Sequence, residues 1–248
     1  MKKLSIGAAW LEAQPFVRRE LPLLLPVALL FIAIPLALMF ISIPPEFRQM
    51  QLDPNAPRPE LSGGVMVLVM ACTLIVIAGS LSLYALALKP AISLKEALMV
   101  GFQRLPVALG ATLIAGFAFA LPVLVVTIVS PHLAGFVMLV AAVIFSVRLA
   151  MLNAIVVDGP VGALEALKRS WACSKGNFLR ILGFMGMITV AIMLAQFVAQ
   201  MLFGVIGFAA AGADGGRQAA DFGGAIALAL GQLLMIVMVA RLYRQVVD

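Results

Sequence analysis

Arg148 is the residue whose type and position most invite chemistry. It lies within an apolar stretch, ten residues ahead of Asp158. At about 1.5 Å per residue that places it well below a membrane surface, although a long arginine can snorkel outward. Charges at such depth are costly and by default mark function. The planar guanidinium suits a lipid phosphate, or a fixed structural pair with Asp158, Glu165 or a backbone carbonyl. Beyond it, Lys168, Arg169, Lys175 and Arg180 form a basic belt beside Trp171. That belt reads either as a seat for anionic headgroups or as charge that sets topology. Asn153, Gln196 and Gln200, with Gln232, are candidates for a polar cavity or for hydrogen bonds between helices.

Enzymatic chemistry finds little support. His132 is the one histidine, in a tight external turn, and the two cysteines, Cys72 and Cys173, have neither metal spacing nor the placement to pair. No serine has an elbow motif, no glycine-rich loop cradles phosphate, and the paired intramembrane carboxylates of a proton-coupled transporter are missing. The expectation is a protein without catalysis, metal or cofactor.

The elements that position these residues are membrane helices. Of 248 residues, 64% are hydrophobic and 11% charged, against roughly 25% charged in a soluble domain. The net charge of +6 does not point to nucleic acid, because the basic residues flank apolar spans. Apolar runs long enough to cross the membrane predict six spans, at about 21–43, 65–88, 106–129, 133–157, 179–208 and 222–242. The first is too long for a signal-peptide core and lacks a small-residue cleavage site, so it reads as an uncleaved anchor.

Three amphipathic interfacial helices are expected at about 4–19, 93–104 and 160–175. The first carries Ile6, Trp10, Ala13 and Val17 on one face, with Glu12 and Arg19 elsewhere around it. Ser93-Leu-Lys-Glu96 opens the second with a capping box. Asp158-Gly159-Pro160 starts the third, with Val161, Leu164, Leu167 and Trp171 on its apolar face and Glu165 able to pair with Lys168 or Arg169. Gly176 is placed to end that helix and Asn177 to cap the next. A polar loop is expected at 44–64 and a Gly/Ala/Asp loop before the sixth span. Gly223, Ala227 and Gly231 form a small-residue seam for close helix contact. Matching Glu-Ala-Leu in SLKEALMVGFQR and GALEALKRSWAC, with SIGAAWLEAQPF as a fainter copy, suggests three parallel repeats of helix plus hairpin. Fourteen Lys/Arg fall on one side of this arrangement; Arg48, Arg58 and Arg217 fall on the other. The positive-inside rule then puts both termini in the cytoplasm.

The run VVDGPVGALEALKRSWACSKGNFLRILG resembles the glycerophosphoryl diester phosphodiesterase membrane-domain family and its YciC-like relatives. The resemblance is carried by Asp158, Gly159, Ala166, Leu167, Arg169, Ser170, Trp171, Lys175 and Gly176, and more loosely by KPAISLKEAL at 89–98. It implies a bacterial inner-membrane protein. The soluble phosphodiesterase barrel of some relatives has no counterpart here, since only RLYRQVVD follows the sixth span, so hydrolase activity is not carried over. The expected role is binding of membrane lipid, anionic above all, or of a membrane-protein partner, in envelope phospholipid homeostasis. A transporter or lipid translocase, or an accessory subunit of a larger complex, are the alternatives.

Overall fold

A computed structural model describes residues 4–43, 62–89 and 91–247. Most of the expected 44–64 loop, with Arg48 and Arg58, lies outside the described residues, as do the side chains of Pro131 and His132. Among the described residues all regular structure is helical. Five helical stretches are long and apolar enough to cross a membrane: Ile6–Ser42, Gly63–Leu88, Leu94–Val129, Leu133–Asp158 and Phe178–Val247.

The elements are α1 (Ile6–Ala28), a π-helical turn (Leu29–Ala33), α2 (Ile34–Ser42), α3 (Gly63–Leu88), α4 (Leu94–Val129), α5 (Pro131–Arg148), α6 (Leu152–Asp158), α7 (Ala163–Cys173) and α8 (Phe178–Val247). They divide into two compact units. The first combines α1 up to Leu21, Leu81–Thr189, and the end of α8 from Leu234. The second combines the segment that starts at Pro22 and ends at Ser80 with Val190–Leu233.

In the first unit α4 is the support. Ala97, Gly101, Ala108, Ala111 and Ala115 are its buried residues, and small side chains let neighbouring backbones come close. Against α4 pack α5, α6 and α7, and α6 also packs on α7. The short α6 buries Leu152, Ala154, Ile155, Val156 and Val157. The capping box forms as the sequence predicts: the Glu96 N–H donates to Ser93 Oγ at 3.3 Å, and the Ser93 N–H donates to Glu96 Oε2 at 2.9 Å.

The second unit holds two close helix approaches. A π-turn precedes Pro35, whose missing N–H would leave a gap in an α-helical ladder. There α3 comes so near that a methyl on Gly79 would lie 2.5 Å from Phe31 Cβ. In α8 the helical path breaks at Ala211 and Gly212, where Gly212 has φ 68° and ψ −158°. That conformation is open essentially to glycine alone. The chain then doubles back. A methyl on Gly231 would lie 2.6 Å from Ile192, one on Gly223 2.6 Å from Phe203, and one on Gly207 2.5 Å from Ala219. Partners rise on one arm as they fall on the other, so the arms run antiparallel. The seam of Gly223 and Gly231 therefore faces the preceding arm of its own helix.

Several boundaries differ from the sequence reading. Only the third expected interfacial helix is a separate element, and it is shorter, 163–173 rather than 160–175. Residues 159–162 are non-helical, and Gly162, not Pro160, stands at the helix start. The segments at 4–19 and 93–104 continue without a break into the apolar helices that follow them, because neither is followed by a residue that leaves the helical region. The expected fourth span is interrupted at 149–151. The expected Gly/Ala/Asp loop is a tight break within α8.

Candidate functional site

The interruption after α5 builds the site around Arg148. In a continuous helix the Arg148 carbonyl would accept from the Leu152 N–H, but that group donates to Leu149 O at 3.0 Å. The freed carbonyl accepts from Ser170 Oγ of α7 at 2.8 Å. Ser170 is fully buried, so this bond fixes α7 against the end of α5.

The Arg148 side chain closes over the same helix. Its Nη1 donates to Ser174 Oγ at 3.3 Å and to the Trp171 carbonyl at 3.5 Å, while Ser174 Oγ donates to that carbonyl at 3.0 Å. Its guanidinium carbon lies 5.0 Å from the Trp171 ring centre and 5.6 Å from that of Phe178, within cation–π range. Phe145 meets Trp171 edge to face, and Phe119 meets Phe145 in the same way. Of the partners expected for Arg148, the backbone carbonyl is the one found. Asp158 instead accepts from the Tyr243 hydroxyl at 2.9 Å. Glu165 pairs with Arg169 at 2.5 Å on an exposed surface, one helical turn away, which is a shorter reach than Arg148.

The rest of the belt divides by task. Arg180 Nη1 donates to the Leu4 carbonyl at 3.1 Å, and Asn177 Oδ1 accepts from the Leu4 N–H at 3.2 Å. Together they tie the N-terminal segment to the start of α8. Gly176, at φ 80°, makes the left-handed turn between α7 and α8. The C-terminal end joins this assembly. Gln245 Oε1 accepts from the Ser5 N–H at 2.9 Å, and Arg244 donates to the Leu88 carbonyl.

Lys168 and Lys175 stand exposed. Of the expected apolar face, Leu164 and Trp171 are exposed at 55% and 42%, while Val161, just ahead of α7, is buried, as is Ala166. Burial raises the pKa of the Cys173 thiol, and the nearby Arg169 charge opposes this more weakly.

Asn153 is half-buried on α6 in the first unit, while Gln196 and Gln200 are half-buried in the second. Gln200 packs on Gly224, where an added methyl would lie 2.7 Å from its Nε2. That contact lies within the α8 hairpin. Among the described residues no group of acidic, histidine or cysteine side chains is arranged to hold a metal.

Sequence reasoning missed Arg241. It is 8% exposed, with its guanidinium carbon 4.4 Å from the Phe16 ring centre. Glu12, Pro15, Phe16 and Arg19 line a cavity beside it. The spacing of Glu12, Phe16 and Arg19 places them on one helix face, which is visible in the sequence. Their partner on the last helix, more than two hundred residues away, is not. Compared with known protein families, known proteins and solved structures, the chain matches none.

Proposed function

We propose that this is a six-span, non-catalytic membrane protein that holds phospholipid at its cytoplasmic face through α7. The observation that carries this reading is the exposed side of α7. Leu164 and Trp171, two turns apart, stand out of the protein with Lys168 and Lys175 beside them. Apolar side chains flanked by lysines match a helix lying in a headgroup layer: the apolar groups enter the acyl boundary and the ammonium groups meet anionic phosphate. Trp10, also 42% exposed, supports the same level, since tryptophan favours the membrane interface.

Counting the two antiparallel arms of α8 separately supports six spans. At about 1.5 Å per residue, 70 residues are far longer than one ~30 Å crossing. The charge asymmetry puts both termini and α7 inside, and the resemblance to the glycerophosphoryl diester phosphodiesterase membrane-domain family points to a bacterial inner membrane.

In this reading Arg148 fastens α7 in place, and the lysines, rather than Arg148, meet the lipid. The test is retention of phosphatidylglycerol by the purified protein, measured by native mass spectrometry. Replacing both Lys168 and Lys175 by Gln should lower retention about thirtyfold, since each charge near an anionic surface contributes on the order of 1 kcal/mol. Unchanged retention in the folded variant would sink the reading. A stoichiometric protein bound in place of lipid would make the same face a subunit contact.

A further inference from the structure

Arg241 has a surrounding that α7 does not explain. Its Nε is shut off from solvent and has no hydrogen-bond partner among the described residues. A charge so placed is costly unless something answers it. Beside it opens a cavity of about 420 Å³ lined by Glu12, Pro15, Phe16, Arg19 and Arg241, within the size range of small-ligand sites. Phe16 covers one face of the guanidinium, and Arg241 is among the residues that line the cavity. Arg19 is a second guanidinium on a largely exposed side chain, in contact with Glu20 at 2.8 Å. Glu12 makes the wall two-signed.

We infer that this cavity binds an aminoalkyl phosphodiester, the headgroup of a zwitterionic phospholipid of the ethanolamine class. The phosphate meets Arg241 and Arg19, whose planar donors fit its oxygens. The ammonium meets Glu12. A purely anionic headgroup would satisfy the arginines and be repelled by Glu12, whereas a headgroup carrying both charges answers both sides. Trp10 and Leu11, exposed on the same helix, place the cavity at the membrane interface, where such headgroups lie. The inference rests on the membrane-lipid reading above, but at residues other than those of α7.

The experiment is native mass spectrometry of the full chain in detergent, with phosphatidylethanolamine and phosphatidylglycerol supplied in equal amounts. Wild type should retain the ethanolamine lipid preferentially in a second, α7-independent position. Arg241→Lys keeps the charge and removes the planar fork, and should cut that retention about tenfold. Glu12→Gln, at an exposed position, should reduce the preference about threefold. Equal retention of the two lipids by the Lys168→Gln/Lys175→Gln variant, or an unchanged preference in Glu12→Gln, overturns the proposal. Free phosphoethanolamine that displaces the lipid at equimolar concentration would overturn the lipid assignment in favour of a soluble ester; persistence of the lipid supports it. The Lys168/Lys175 variant separates the two readings. Unchanged phosphatidylglycerol retention there sinks the α7 reading alone, and unchanged ethanolamine preference in Glu12→Gln sinks the cavity alone.

Discussion

Arg148 and Arg241 are alike in chemistry and opposite in setting. Each has a buried Nε without a hydrogen-bond partner among the described residues, and each lies over an aromatic ring. Arg148 turns Nη1 to the protein, donating to Ser174 and the Trp171 carbonyl, and its guanidinium lies beside two aromatic rings. Arg241 lines a cavity instead. The difference teaches that depth alone does not identify a functional arginine. What matters is whether the fork is already occupied by the fold. Arg148 is a fastening for α7, and Arg241 is the guanidinium with room for a ligand.

The comparison breaks first at Ser170. Ser170→Ala removes the donor to the Arg148 carbonyl and leaves that acceptor buried beneath α7. The expected cost is about 2 kcal/mol, read as lower thermal stability in detergent. Little change would mean that the Ser170 bond is not what holds α7 to the end of α5. Arg148→Ala comes next, at about 1 to 2 kcal/mol, from the lost cation–π contacts, hydrogen bonds and packing of the stem. In the folded variant phosphatidylglycerol retention should fall only as far as α7 loosens. A selective loss of lipid without loss of stability would restore Arg148 as a headgroup ligand. Arg241→Ala should cost less, about 1 kcal/mol, because Phe16 is the main contact it gives up. A larger loss than at Arg148 would reverse the assignment of the two roles.

Legibility in the sequence follows the range of the interactions. Apolar runs, the Ser93–Glu96 cap and the Gly176 turn depend on neighbours in the chain, and all were readable. The basic belt was readable as a group but not in its division of labour. Arg180 reaching Leu4 and Tyr243 reaching Asp158 are tertiary events that no local spacing encodes. On α7 helical periodicity identifies an apolar stripe, not what that stripe meets. Ala166 and Ser170 are buried, with Ser170 on the Arg148 carbonyl, and Leu164 and Trp171 are exposed. The break at 149–151 had no proline or glycine to announce it. Its signature was Ser170, an apparently ordinary polar residue that supplies the hydrogen bond the helix gave up.

The smallest effect reaches the Arg148 assembly from the beginning of α4, which supports α7. Hydrogen bonds from the Ser93 backbone N–H and hydroxyl hold the Glu96 pKa below its usual value. A carboxylate depressed in the folded state adds stability above its unfolded pKa, near 4.3 in the general case, and loses it as pH falls through the lower folded value. Acidification from neutrality through that window should therefore loosen the first turn of α4. Amide hydrogen exchange, corrected for its intrinsic pH dependence, should show declining protection at Glu96 and Ala97 in wild type. It should show a flat profile in Glu96→Gln, where a neutral amide still reaches the cap. An equal acid response in both proteins would mean that another carboxylate governs this end of the helix, and the link from the cap through α4 to the α7 seat would be lost.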